Sequence, residues 1–377
     1  MDVRHQGNRL HLKEADGFAH IYSALWLREA TNHPEFRDPK TGHKIADGDL
    51  IPLDIRINAA SVKSGVLDVT FSDGHATTYL LGDLRAAAEK PLSDDLEGAK
   101  QLCDASLDPM PWHNLDDLKS HPQALLSALD DVGRLGFALV RGVPTRLNGV
   151  QEFIDLIGSM RVTNNGAIQD VKAVPPERAY DLSMTPRALE PHTDNPYRIP
   201  QPGYVLLHCL TNDAEGGESG LTDGFYVAER MRREHPALFE SLCTVPIVWR
   251  YADEQAILED TSPFVDLALD GSIKHVRYHG RSDRVSAVDA DTLDKFYKAR
   301  RIFSGLINAD DVQVRFKLNP GEMYMVDNYR MIHSRKAFKL TTGSRHMRQA
   351  YFDRDVVQSR QKTLRRDINA KPWKHRD

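Results

Sequence analysis

The sequence predicts a two-domain α+β protein that is mainly β, with a jelly roll or β-sandwich as its larger part and helices packed outside. The length of 377 residues, at roughly 150 residues per domain, gives two domains. A composition of 41% hydrophobic and 27% charged residues is typical of a globular chain. Many short apolar segments separated by turn residues, with few helical patterns between them, favour the β-rich class.

Residues 1–95 are predicted to form a small β-rich domain. Apolar residues between Ser61 and Leu81 flank Ser72-Asp73-Gly74, a pattern typical of a β-hairpin. Residues 96–115 combine prolines and acidic residues with little periodicity. We therefore interpret this segment as a linker.

Residues 116–377 are predicted to form the larger domain. A helix should lead into a buried strand at Phe137–Val140, and the periodicity predicts further helices at Val227–Leu242 and Asp291–Ile307. Apolar residues alternate with polar ones from Val312 to Leu318, and a second strand should follow at Met323–Asp327. Several short strands around a few helices predict a jelly roll.

Charge and cysteine content exclude several classes of protein. The 49 basic and 54 acidic residues leave a net charge of −5, which gives no reason to expect a nucleic-acid partner. Three widely spaced cysteines make neither a disulfide framework nor a cysteine-rich zinc site. No apolar stretch of membrane-spanning length and no signal-peptide pattern is present, so we expect a cytoplasmic protein.

The most informative motif is His192-Thr193-Asp194. Two residues that lie two apart on a strand face the same side, so an imidazole and a carboxylate could share one metal. A third ligand from a distant strand would complete a facial triad that leaves three positions open for non-haem iron oxygen chemistry. We predict His333 as that ligand, in a turn-rich segment after a strand.

Arg345 follows His333 by 12 residues. A guanidinium inside a barrel is costly unless it meets an anion, and its fork suits a dicarboxylate co-substrate. Without the His and Asp residues upstream, an ordinary surface ion pair would be the better interpretation.

Four ordered segments together resemble the γ-butyrobetaine dioxygenase family, a group of taurine-dioxygenase-like Fe(II)/2-oxoglutarate oxygenases. They read HTDNPYRIPQPGYVLLHCL, GGESGLTDGF, NPGEMYMVDNYRMIHSRKAF and SRHMRQAYFDRD. The resemblance implies a double-stranded β-helix domain and the cofactors Fe(II), 2-oxoglutarate and O2. It implies His192, Asp194 and His333 as iron ligands and Arg345 and Leu207 as 2-oxoglutarate residues.

The resemblance also implies a pocket for a small trimethylammonium zwitterion. Tyr351 and Tyr180 match aromatic residues that hold the cation through their ring faces. Asn165 and Gln169 stand where the family has two further aromatics, so Asp170 and Asp181 are expected to help hold the cation. The other residues that we assign to the substrate pocket are Asn195, Tyr197, His279 and Arg281.

His279 and Arg281 stand near the family's carboxylate-binding asparagine. Because a more basic grip suits an anion with more charge and more oxygens than a carboxylate, the sequence resembles the branch of this family that hydroxylates 2-(trimethylamino)ethylphosphonate, which we expect as the substrate. The alternatives are γ-butyrobetaine, a sulfonate or other small anion, and a non-catalytic binding module. Arg277, Arg281 and Arg284 could equally form a solvated face.

The N-terminal domain departs from the family, whose members bind a structural zinc with three cysteines and one histidine. The likely cysteine positions hold Thr31, His33 and Phe36, and only His75 remains. Two histidines without thiolates fall short of four ligands, so we predict no structural zinc. The resemblance also suggests a homodimer.

Overall fold

The computed structural model describes residues 1–45, 47–89, 96, 98–174 and 182–369. The chain divides into two compact units, Met1–Leu92 and Ser93–Asp377.

The first unit contains two three-stranded antiparallel sheets, β1-β2-β3 and β4-β5-β6, and two helices. Their core is built from alternating strand residues such as Leu10, Leu12, Leu67 and Val69. The predicted hairpin is confirmed, because β5 and β6 pair antiparallel on either side of Gly74, which has a positive φ of 85°. The elements of this unit are β1 Asp2–Gln6, β2 Arg9–Lys13, β3 Ala19–Ser23, α1 Ala24–Glu29, β4 Ile57–Lys63, β5 Val66–Phe71, β6 Ala76–Leu80 and α2 Leu81–Glu89.

The residues at the family's zinc positions contact one another without forming a metal-ligand set. The Nε2 of His75 lies 3.2 Å from the Thr31 hydroxyl oxygen. The rings of Phe36 and His33 pack against the ring of His75, with centroid distances of 4.6 and 5.6 Å. Threonine and phenylalanine cannot replace thiolates in a tetrahedral zinc site, so these residues do not fit the family's metal.

The absence of zinc stays a prediction that metal analysis can test. After chelation and reconstitution with Fe(II), the protein should contain iron and far less than one zinc per chain. A full equivalent of zinc that survives chelation and disappears in His75→Ala would contradict this expectation.

The second unit contains the remaining elements. Its strands are β7 Trp112–Asn114, β8 Phe137–Arg141, β9 Ile168–Lys172, β10 Leu189–His192, β11 Tyr204–Asn212, β12 Glu215–Gly216, β13 Ser219–Asp223, β14 Ile247–Ala252, β15 Ile257–Ser262, β16 Val265–Leu267, β17 Ile273–Val276, β18 Asp283–Val285, β19 Val314–Phe316, β20 Met323–Asp327, β21 Met331–Arg335, β22 Phe338–Lys339 and β23 Arg345–Phe352. Its helices are α3 Leu115–Ser120, α4 Pro122–Leu135, α5 Gln151–Ile157, α6 Gly224–Glu234, α7 Pro236–Thr244, α8 Ala290–Ile307 and α9 Arg354–Asn369.

Two sheets form the centre of the second unit. One has the strand order β7-β8-β20-β11-β23-β9, and the other has the order β10-β21-β13-β19. Their inner faces share one apolar cluster, to which Val205 and Val326 contribute from the larger sheet and Leu221 and Met331 from the smaller. This pair of sheets around one core is the predicted double-stranded β-helix.

Helices cover the outer faces of these sheets. Helices α4, α5 and α9 pack on the larger sheet, and α6, α7 and α8 share a core with β14 and β17. The prediction of one helix over Val227–Leu242 is wrong, because the chain breaks at His235 and restarts with Pro236 in the first turn of α7. Proline is tolerated only in that position of a helix. No helix among the described residues is long and apolar enough to cross a membrane.

The segment predicted as a linker packs against the second unit. The backbone N–H of Cys103 donates to the Asp223 carboxylate at 3.1 Å, and the side chain of Cys103 is buried. Asp223 also forms a buried ion pair with Arg330, which donates to the Gln101 carbonyl at 2.7 Å. The described part of this segment is therefore bound to a folded surface and is not a free tether.

Candidate iron and 2-oxoglutarate site

Three predicted metal ligands converge at one edge of the smaller sheet. The Nε2 atoms of His192 and His333 lie 3.5 and 3.4 Å from the same carboxylate oxygen of Asp194, Oδ1. Among the described residues, they form the one group of three or more His, Cys, Asp or Glu whose ligand atoms all lie within 4.8 Å of one another. Two imidazoles and a carboxylate are the donor set of a facial triad.

The positions of these residues differ from the prediction in two ways. Strand β10 ends at His192, so Asp194 lies in the bend beyond the strand. His333 lies within β21 and pairs directly with His192 across the sheet, not in a turn. The spacing selected the three residues that converge, and the fold brings them together through a strand pair and a bend.

Backbone contacts fix this bend. The Nδ1 of His192 lies 2.8 Å from the Glu190 carbonyl oxygen, so Nδ1 carries the proton and Nε2 faces the centre. The amide of Asn328, which is fully buried, accepts from the Asp194 N–H at 2.8 Å and donates to the Asp194 carbonyl at 2.9 Å. Asn195 follows with a positive φ of 51°, which asparagine tolerates better than bulkier residues. Sequence reasoning missed Asn328.

The electrostatics of the triad suit a cation. Burial, together with the neighbouring His333, lowers the pKa of His192, so its imidazole is neutral near pH 7. Burial alone would raise the pKa of Asp194, but the two imidazoles hold it well below its usual range. The site therefore offers one negative charge from Asp194 and, from His192, a neutral nitrogen ligand.

Arg345 begins strand β23 and lines the same cavity. It is 4% exposed, and its Nε has no hydrogen-bond partner among the residues that the structure describes. Burial lowers its pKa to about 10, so the guanidinium stays charged at pH 7. A buried cation of this kind calls for an anionic ligand, and Leu207 supplies an apolar wall beside it.

Ten of the twelve other predicted site residues also line this cavity. They are Asn165, Gln169, Asp170, Asn195, Tyr197, Leu207, His279, Arg281, Arg345 and Tyr351. Tyr180 and Asp181 lie outside the described residues, so their roles stay predictions.

His279 and Arg281 form the basic part of the cavity. The ring of His279 stands edge-on to that of His192 with a centroid distance of 5.5 Å, and an Nη of Arg281 lies 3.4 Å from Nε2 of His279. Arg277 forms an ion pair with Asp266 instead, and Arg284 is exposed on β18. The three arginines therefore do not form one solvated face.

The aromatic part of the cavity contains one residue that sequence reasoning missed. Tyr197 stacks on Tyr251 with a centroid distance of 5.2 Å, and both line the cavity. Tyr251 lies on β14, far from every motif, and no sequence signal marks it. Asp170 also lines the cavity, and Arg348 and His346 bind its carboxylate at 2.7 and 2.6 Å, so its part in holding a cation stays a prediction.

Gln349 is a third missed residue. Its amide nitrogen donates to the other carboxylate oxygen of Asp194, Oδ2, at 2.6 Å, and the Tyr351 hydroxyl donates to the same oxygen at 3.0 Å. The sequence could have predicted Gln349, because it lies four residues after Arg345 and two residues before Tyr351 on one strand. Side chains at even spacing along a strand share one face.

Comparison with known proteins identifies the family. Residues 105–351 match the model of the taurine catabolism dioxygenase TauD, TfdA family, and residues 1–85 match the γ-butyrobetaine hydroxylase-like N-terminal domain. The chain is therefore a 2-oxoglutarate-dependent non-haem iron oxygenase, that is, a hydroxylase.

Two relatives are similar to this chain over most of their own length. A γ-butyrobetaine dioxygenase of Pseudomonas sp. (strain AK-1) is 32% identical over 93% of this chain and 92% of the relative. A mitochondrial trimethyllysine dioxygenase of Gallus gallus is 27% identical over 93% of this chain and 85% of the relative. A taurine dioxygenase structure from Burkholderia xenovorans aligns with a TM-score of 0.47 and 16% identity over 70% of this chain and 89% of that chain.

The chain belongs to the γ-butyrobetaine dioxygenase family, whose chemistry uses Fe(II) and 2-oxoglutarate. This membership excludes the alternative of a non-catalytic binding module.

Proposed function

We propose that His192, Asp194 and His333 hold the catalytic Fe(II) and that Arg345 binds the distal carboxylate of 2-oxoglutarate, with Leu207 against its methylenes. The converging ligand atoms and the unpaired buried guanidinium support this assignment. When bound, the iron would supply the chemistry that oxidatively decarboxylates 2-oxoglutarate. The overall reaction converts a substrate C–H, O2 and 2-oxoglutarate into C–OH, succinate and CO2. The chain's own residues orient the two organic molecules and exclude water.

For the substrate we propose a small trimethylammonium zwitterion, with 2-(trimethylamino)ethylphosphonate preferred. The observation that carries this proposal is that a basic pair, His279 and Arg281, and tyrosine rings line the same cavity as the triad. A quaternary ammonium donates no hydrogen bonds, so the ring faces of Tyr351 and Tyr197 are its natural contacts. A phosphonate offers three oxygens to the basic pair.

γ-Butyrobetaine is the second candidate, because a relative of that activity is similar over nearly the full chain. The cavity differs from an all-aromatic cation site in having Asn165 and Gln169 on its wall. With fewer aromatic rings to hold the ammonium group, substrate selectivity depends more on how the cavity binds the anionic group. A carboxylate offers fewer oxygens to His279 and Arg281 than a phosphonate does. The homodimeric state and the cytoplasmic location stay predictions.

A direct comparison of the two substrates tests this proposal. Succinate formation coupled to hydroxylated product should show a higher kcat/KM for 2-(trimethylamino)ethylphosphonate than for γ-butyrobetaine. A preference for the carboxylate would reject the phosphonate assignment. A higher kcat/KM for a sulfonate that lacks an ammonium group than for either zwitterion would reject the assignment of a trimethylammonium zwitterion as the substrate.

The basic pair supplies the matched variants. Arg281→Ala should raise KM for the phosphonate by about tenfold, because a hydrogen bond to a charged group is worth about 1.5–3 kcal/mol and Arg281 is partly screened by solvent. Arg284→Ala removes a nearby exposed arginine that does not line the cavity, and it should leave KM unchanged. An equal rise in KM in the two variants would indicate that Arg281 acts only through the general positive charge of this region.

A further inference from the structure

Gln349 stands at the point where the co-substrate, substrate and metal parts of the cavity meet. It lies on β23 between Arg345 and Tyr351, and the period of two puts all three side chains on one face. On the neighbouring strands it pairs with Leu207 in β11 and with Gln169 in β9. Gln349 and Gln169 are therefore two glutamines side by side on the wall of one cavity.

The two glutamines have different partners. The Gln349 amide donates to Oδ2 of Asp194 at 2.6 Å, whereas the Gln169 amide donates to the Thr163 hydroxyl at 3.0 Å. Because an ionised carboxylate only accepts hydrogen bonds, chemistry fixes the orientation of the Gln349 amide with nitrogen toward Asp194.

The oxygens of Asp194 are thereby divided between two sets of partners. Oδ1 faces the Nε2 atoms of His192 and His333, and Oδ2 accepts from Gln349 and Tyr351. A facial triad works only if its carboxylate uses one oxygen, since a second metal–oxygen bond would occupy a position that must stay open. The two hydrogen bonds to Oδ2 therefore hold the carboxylate so that only Oδ1 is available to the metal.

We propose that Gln349 is a positioning residue that keeps Asp194 a one-oxygen ligand of the iron. The proposal rests on the assignment of the iron site above. Tyr351 shares the task through its hydroxyl while its ring remains available to the substrate. Hydrogen bonds of this kind fix ligand orientation at metal sites, and their loss commonly costs 10–100-fold in metal affinity or activity.

The test uses anaerobic Fe(II) binding by equilibrium dialysis and 2-oxoglutarate binding to the iron-loaded protein by its visible charge-transfer band. Gln349→Leu should weaken Fe(II) or 2-oxoglutarate binding by about 10–100-fold and shift the band. Tyr351→Phe should have a smaller effect of the same kind, and the double variant a larger one. Gln169→Leu is the matched control and should bind Fe(II) like the parent protein.

Each other outcome has a defined meaning. Parent-like Fe(II) and 2-oxoglutarate binding with an unshifted band in Gln349→Leu would overturn the proposal, and so would an equal loss in Gln169→Leu. Full iron binding by Asp194→Ala would instead refute the iron site itself, and the proposal with it. If Gln349→Leu does not unfold cooperatively, Gln349→Asn, whose amide is one methylene too short to reach Oδ2, replaces it with the same expected loss.

Discussion

Asp194→Ala is expected to lose stoichiometric Fe(II) and to lower kcat/KM by more than about 100-fold. Loss of a residue that only orients a ligand already costs 10–100-fold in comparable sites, and Asp194 is proposed to bind the metal itself. Its removal also takes away the one negative charge that the triad offers the cation. Metal analysis of the dialysed variant and succinate-coupled assays would measure the two effects.

Asp170→Ala is the matched control for this variant. Asp170 lines the same cavity, but its carboxylate is bound by Arg348 and His346. It should therefore retain iron at the parent level. Equal iron loss in both variants would mean that Asp194 acts only through the general charge of the cavity.

Arg345→Leu is expected to have the second largest effect. Removing one partner from a buried, hydrogen-bonded charge pair costs about 2–5 kcal/mol, which corresponds to a rise of about 30-fold or more in KM for 2-oxoglutarate. Arg345→Lys keeps the charge but loses the planar fork, so it should recover part of the affinity. Steady-state kinetics with 2-oxoglutarate as the varied substrate would distinguish the three proteins.

The same variant should stabilise the protein in the absence of 2-oxoglutarate. Arg345 is 4% exposed, and its Nε has no partner in the described part of the chain; burial of a cation without a counter-charge is unfavourable. Leucine removes that unfavourable burial and should raise the free energy of unfolding by about 1 kcal/mol or more. A decrease in stability together with unchanged KM would contradict the assigned role of Arg345.

The chemistry of the site was more predictable from sequence than its geometry. His-x-Asp, a downstream histidine and a following arginine identified the residues that line the cavity, because residue type and order along the chain carry that information. Sequence spacing does not predict contacts between residues that lie far apart in the chain. Two such contacts shape the site: His192 pairs with His333 across the sheet, and Asn328 forms hydrogen bonds with the backbone of Asp194. Local spacing therefore selected the three residues that converge, but it did not predict the strand pair and the bend that bring them together.

Other errors have local causes. Pro236 marked the break between α6 and α7, and a helix with proline inside it should have been divided there. Composition alone suggested a linker at 96–115, whereas Cys103 and Gln101 bind to buried charged residues of the second unit. The sequence also showed no sign that Arg348 and His346, on a neighbouring strand, would bind the Asp170 carboxylate.

The most direct test of the proposed iron and co-substrate site is the visible spectrum of the protein mixed anaerobically with Fe(II) and 2-oxoglutarate. A charge-transfer band should appear with the parent protein only when both are present, and it should be absent from His192→Ala. A parent protein without the band, or a His192→Ala variant that keeps it undiminished, would contradict the assignment of His192, Asp194 and His333 as the iron ligands.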